Sequence, residues 1–163
     1  MRFALHLNKQ VKQKMKFSRK IRINCYPADI WQALTHPKSV AAYMFGSYAK
    51  SDWHKGSEIS YYLNKDGAEV KIITGFIREC EENTHLRHSL YPLGANYPNK
   101  EINHIEVEYL IQEVDNELCE LIINQSGFDE AAEGEKRFEH AKAGWDQALP
   151  KLKTEIQRIA SND

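Results

Sequence analysis

Apolar and polar residues alternate with period two from Phe17 to Cys25: Phe17, Arg19, Ile21, Ile23 and Cys25 on one side, Ser18, Lys20, Arg22 and Asn24 on the other. That is the pattern of a half-buried strand, with Arg19 out of place. Pro27 suits a first helical position, and Ile30, Trp31 and Leu34 form a short apolar helical face. Thr35-His36-Pro37 ends that helix and starts a second, with Val40, Tyr43 and Met44 facing inward and Gly46 as its stop. Ser51 to Ser57 reads as a loop, and no strand is assigned between Gly46 and Glu58. Strands then follow at Glu58–Leu63, 68–80, His85–Tyr91, Ile102–Glu113 and Leu118–Asn124. Asp66-Gly67 is a strong hairpin signal, and 92–99 is a longer loop. Consecutive strands on short turns make an antiparallel meander.

The last segment changes period. Phe138, Ala141, Trp145, Leu149, Leu152, Ile156 and Ile159 fall at helical spacing, predicting one helix from Glu130 to Ala160. Pro150 interrupts it and predicts a kink or a split, because proline lacks an amide proton and crowds the carbonyl of Asp146. An antiparallel sheet with one apolar face needs a cover, and only this helix is long enough. The expected class is α+β, with helices gathered on one side of the sheet.

Composition narrows the partners more than the fold. The chain of 163 residues carries 22 Lys plus Arg against 23 Asp plus Glu, a formal net charge of −1. That balance argues against a dedicated nucleic-acid or polybasic membrane binder. We expect one domain over 1–163, an N-terminal arm over 1–15 and a core over 16–160. Cys25, Cys80 and Cys119 are odd in number and lack a CxxC pair, which suggests a reducing compartment. With neither a signal-peptide core nor a membrane-length apolar run in the sequence, the expected location is cytoplasmic.

Several phrases resemble one family. They are Tyr26-Pro27-Ala28-Asp29-Ile30-Trp31-Gln32-Ala33-Leu34-Thr35-His36-Pro37, Trp53-His54-Lys55-Gly56-Ser57, Gly75 with Glu79 to Leu86, and Gln125-Ser126-Gly127-Phe128 followed by Gly144-Trp145, Leu149 and Leu152. Their order resembles the activator of heat-shock protein 90 ATPase homologue-like family, within the START/Bet v-like (SRPBCC) superfamily. The resemblance implies a helix-grip fold: a curved antiparallel sheet wrapped around a long C-terminal helix, two short helices after the first strand, and a cavity between sheet and helix. That superfamily uses the cavity for lipids, sterols, polyketides or other hydrophobic molecules. A minority are enzymes, and some bind protein partners. Three features depart from the pattern: Pro150, the long tract before Phe17, and His88 where an aromatic residue is expected.

The candidate ligand-binding residues are Tyr43, Trp53, His88, Tyr109, Gln125, Phe128 and Trp145. By periodicity alone the same residues fit a filled core; the resemblance turns that reading toward a cavity. Parity over 70–78 is ambiguous, since apolar side chains occupy both faces. His85 and His88 point to opposite faces of a strand, so they make no joint metal site. His104, Glu106 and Glu108 share a face, read as the solvated outside of the sheet in preference to a metal triad. No catalytic residue, metal or cofactor is assigned. The expected function is binding of a hydrophobic or amphipathic small molecule, by a monomer or homodimer. The alternatives are a chaperone-interacting module and a small cyclase- or hydrolase-like enzyme using His88 as base with Tyr109 as donor.

Overall fold

The computed structural model describes residues 14–163, so the arm expected over 1–15 lies almost wholly outside the described residues. The order is β1 (Phe17–Asn24), α1 (Pro27–Thr35), α2 (Pro37–Tyr43), β2 (Tyr48–Ser51), β3 (Glu58–Lys65), β4 (Ala68–Glu81), β5 (His85–Pro92), β6 (Ile105–Asp115), β7 (Leu118–Ser126) and α3 (Gly134–Ser161). All strand pairs are antiparallel, and the sheet runs β1-β7-β6-β5-β4-β3-β2. The meander folds β2 to β7 in sequence, and β1 closes the far edge against β7. This is the α+β helix-grip arrangement, with α3 packed against α1, α2 and β1.

Local chemistry sets the element ends. Pro27 occupies the first turn of α1, and the Asp29 carboxylate accepts the Tyr26 amide at 2.8 Å. His36 closes α1 and opens α2, because Pro37 cannot continue the first helix but can begin the next. At the β3–β4 hairpin Asp66 and Gly67 both take positive φ, 50° and 80°, as a tight two-residue turn demands.

β2 is a strand that the sequence pattern leaves unassigned. It has four residues at the sheet edge, and Ala49 alone is buried. That is too short for a period to register. It is fixed by pairing with β3, where Tyr48 lies opposite Tyr62. β6 begins at Ile105 and not Ile102, because Glu101–Asn103 form a single 3₁₀ turn. α3 begins at Gly134, four residues after the expected start, and runs unsplit through Pro150. Pro150 is exposed on a helix whose neighbouring turns are anchored by buried Ala148 and Leu152. Packing on both sides thus holds the helix through the missing amide.

The ambiguous parity of β4 has a structural cause. The register against β3 shifts past Ile72, and that against β5 shifts past Arg78. Each bulge moves following side chains to the other face. Ile72 and Ile73 therefore both reach the interior, Ile77 is buried, and Phe76 is left exposed. Between the bulges, Gly75 allows β4 to approach β5 closely. A Cβ there would sit 1.8 Å from the Ser89 carbonyl oxygen.

Two stability predictions follow from this geometry. Gly75→Ala should lower the unfolding free energy by about 3 kcal/mol, because backbone must move to admit the methyl. Pro150→Ala should raise it by about 1 kcal/mol or more by restoring a helical hydrogen bond. Denaturant melts of the two variants beside the wild type check both signs.

Candidate functional site

The concave face of the sheet and α3 do not meet along their whole length. Toward its C-terminus α3 presents Leu152, Ile156 and Ile159, all buried in the core. Toward its N-terminus the same face carries Ala141, Gly144 and Ala148. These small residues leave a cavity of about 610 Å³ between helix and sheet. Tyr61 and Leu63 of β3, Ile72 and Ile73 of β4 and Leu90 of β5 form one wall. Ile105, Val107 and Tyr109 of β6 with Gln125 of β7 form the other, and Met44 and Phe45 border it after α2. Glu133, Lys136 and His140 are exposed and mark its opening beside the start of α3.

Three of the seven expected site residues line this space: Tyr109, Gln125 and Trp145. The Trp145 indole N–H donates to Gln125 Oε1 at 3.0 Å, tying α3 to β7 inside the wall. Tyr109 packs edge-on against Trp145, with ring centroids 6.1 Å apart. The other four lie elsewhere. Tyr43 is fully enclosed in the core under α2. Phe128 is completely buried between Phe17 and Phe138, a cluster that fastens the chain after β7 to β1 and α3. Trp53 packs at the rim of the core with φ 56°, its amide bonded to Ser51 Oγ. His88 sits behind Tyr61 and Tyr109 and is wholly inaccessible.

His88 is therefore a core histidine. Its Nδ1 lies 3.1 Å from the Ser89 carbonyl, which can only accept, so Nδ1 carries the proton. Nε2 then accepts from the Tyr61 hydroxyl at 3.3 Å, a partner where Tyr109 was expected. Burial holds the imidazole neutral and depresses its pKa from 6.5 to about 4. Burial likewise pushes the phenols of Tyr61 and Tyr109 upward, and the nearby Tyr61 and Tyr43 hydroxyls add to the effect on Tyr109.

The outer face of the sheet is less solvated than expected. His104 is buried, stacked on Tyr91 and Phe76. Its Nδ1 is 2.9 Å from Ser89 Oγ and its Nε2 is 2.6 Å from Asn99 Oδ1, while Ser89 Oγ also accepts the Phe76 amide at 3.0 Å. Such a serine–imidazole–amide relay resembles a nucleophile site, but Ser89 has no exposed surface at all. Here the relay cross-braces β4, β5 and the 92–99 loop. Glu106 pairs with Arg78, and Glu108 with His85 and Asn124. Burial of both Cys25 and Cys119 raises their thiol pKa values, Cys25 to about 12, which disfavours the reactive thiolate.

The sequence reading missed Tyr61, Tyr97 and Arg137. Tyr61 lies in an apolar strand but carried no chemical signal of its own. Arg137 sits three residues into α3 among other charges, where nothing in the periodicity separates it from a solvated face. In the fold its Nη1 donates to Asn103 O at 2.7 Å, and its guanidinium lies 5.0 Å from the Tyr97 ring centroid. It thereby ties the 92–99 loop and the 3₁₀ turn to the start of α3 at the cavity mouth.

An antiparallel sheet gripping one long helix, with a lined hollow between them, defines the START-like class. The family described as "Activator of Hsp90 ATPase homolog 1-like protein" matches residues 24–157, and the chain belongs to it. No curated protein matches. Among solved structures, ChR145 from Cytophaga hutchinsonii is similar at 25% identity and a TM-score of 0.68, covering 90% of this chain and 96% of that one. An HSP90 activator from Plasmodium falciparum aligns at 17% identity and TM-score 0.65, over 88% and 96% of the two chains. The Aha1 dimer from Colwellia psychrerythraea aligns at 18% and 0.63, over 86% and 95%. Among the described residues no helix is long and apolar enough to cross a membrane.

The state of His88 gives a pH prediction. Unfolded, it binds its proton near 6.5; folded, near 4. Between those values the unfolded chain holds more protons. The His88 contribution is thus complete above about pH 6.5 and is lost as the pH falls through the folded value. It should amount to about 3 kcal/mol across that window. His88→Gln should flatten the acid limb of stability against pH by that amount, measured by urea unfolding from pH 4 to 7.

Proposed function

We propose that this chain is a binding protein for a hydrophobic or amphipathic small molecule, held between the sheet and the N-terminal half of α3. The observation that carries the reading is the 610 Å³ cavity, whose inner walls are almost entirely apolar and aromatic. Ligand pockets run from about 300 to 1,000 Å³ and combine such walls with a few polar groups. Here those groups are Gln125 and the Tyr109 hydroxyl. Burial of apolar ligand surface supplies the affinity, at about 25 cal/mol per Å² before the costs of association. Lipid-like ligands, a cytoplasmic location and a monomer or homodimer are parts of the same reading; the Colwellia relative is a dimer.

A chaperone-interacting role is the second reading. It rests on the family description and on the relative named as an HSP90 activator. Stimulation of a chaperone ATPase by the purified chain would favour it. Enzymatic chemistry based on His88 has least support, because both ring nitrogens are engaged and the ring is out of reach.

The test uses Gly144. It borders the cavity, and a Cβ there meets nothing within 4 Å. Gly144→Leu should keep or improve helix stability while filling the space. The neutral probe N-phenyl-1-naphthylamine should bind the wild type at one site and bind Gly144→Leu at least about tenfold more weakly, read by fluorescence titration. A wild type that does not take the probe, or a variant that binds it equally well, would overturn the cavity reading.

A further inference from the structure

The polar groups of the inner cavity wall are biased toward free donors. Gln125 and Tyr109 are only 4% and 3% exposed, and both line the hollow. They share the concave face of neighbouring strands, since Tyr109 pairs with Ile123, two residues before Gln125. Trp145 lies against both, edge-on to the Tyr109 ring and bonded to the Gln125 carboxamide. An indole N–H can only donate, so the Gln125 atom it meets at 3.0 Å is the oxygen. That contact fixes the amide and leaves Nε2, with its two N–H groups, as the free end. Neither Gln125 Nε2 nor the Tyr109 hydroxyl has a hydrogen-bond partner among the described residues, and neither is sealed in protein. The unpaired side-chain atoms that are closed off belong to Ser39, Glu106 and Arg137. Burial keeps the Tyr109 phenol protonated and therefore a donor. The Tyr61 hydroxyl, also in the wall, spends its proton on His88 Nε2. The charged side chains that border the cavity all come from 133–140, at the start of α3.

We infer that the cavity takes a neutral, largely apolar ligand bearing a carbonyl oxygen, which turns to the Tyr109 hydroxyl and the Gln125 Nε2 group. This inference rests on the cavity reading and adds the ligand's polarity and the place of its polar atom. A carbonyl oxygen has two lone pairs and no proton, so it matches donors that lack acceptors. A pure hydrocarbon would cover both donors and leave each unpaired, which costs the full desolvation of the group. A carboxylate would give up its hydration for a wall with no cation deep inside, at a greater cost.

Competition of benzophenone and diphenylmethane against N-phenyl-1-naphthylamine tests this. The two competitors differ only in a carbonyl or a methylene between the same two rings. Water holds the carbonyl better, so a cavity without free donors prefers the hydrocarbon several-fold. The wild type should instead bind benzophenone at least as tightly as diphenylmethane. Tyr109→Phe removes one oxygen that has no partner in the protein. It should weaken benzophenone about fivefold or more and change diphenylmethane by less than about twofold. Gln125→Leu should act in the same direction. It also takes the acceptor from Trp145, so its binding of diphenylmethane is the control for folding. Infrared difference spectra of unlabelled and carbonyl-carbon-labelled benzophenone on the wild type should place the carbonyl stretch below its position in hexane, with a return toward that position in Tyr109→Phe. Three results overturn the inference and leave the apolar cavity standing: tighter binding of diphenylmethane by the wild type, a ketone preference that survives in either variant able to bind diphenylmethane, or a wild-type carbonyl stretch at the hexane position. Failure of both competitors to displace a bound N-phenyl-1-naphthylamine also overturns it. Failure of all three probes to bind overturns the cavity reading itself.

Discussion

One helix has to cover the concave face of a seven-stranded sheet, and its side chains change size along its length. Leu152, Ile156 and Ile159 fill the space at one end. Ala141, Gly144 and Ala148 cannot fill it at the other. The sheet is stiffened by its own hydrogen bonds and cannot collapse onto the small residues. The hollow is therefore a consequence of helix composition acting against a rigid curved wall. Everything proposed about ligands depends on that mismatch.

The wall stays rigid because its interior polar groups are paired. His88 is locked between Tyr61 and the Ser89 carbonyl on the inner side. Ser89, His104 and Asn99 form a second chain of hydrogen bonds on the outer side. Both sit where β4 bulges and Gly75 lets the strands close in. Bulges bend and twist a sheet, and fully satisfied polar networks fix the bend. A histidine that looks like catalytic equipment in the sequence is here a strut behind the cavity wall.

At the mouth the arrangement is reversed. Arg137 is held by main-chain carbonyls and the Tyr97 ring, and its Nη2 has no acceptor among the described residues. A protein interior rarely leaves such a group unpaired. The same side chain joins the 92–99 loop and the 3₁₀ turn to α3 and so positions the rim of the cavity.

The order of elements was legible from residue periodicity, because strand and helix periods are local and Pro27, Pro37 and Asp66-Gly67 punctuate them with fixed backbone demands. The helical stripe of α3 likewise placed Trp145 inward, and alternation on β6 and β7 placed Tyr109 and Gln125 inward. β2 escaped because four edge residues carry no period, and the two faces of β4 were unreadable because each bulge resets the alternation. Tyr43, Phe128 and His88 share the aromatic or polar character of a ligand site. Whether such a side chain borders a hollow or fills it depends on what packs opposite, and that is a property of long-range contacts. Residue types along the chain thus determined six of the seven strands and the covering helix with its apolar stripe. Only the tertiary structure decided which buried rings are wall and which are filling, because that outcome depends on distances between elements far apart in sequence.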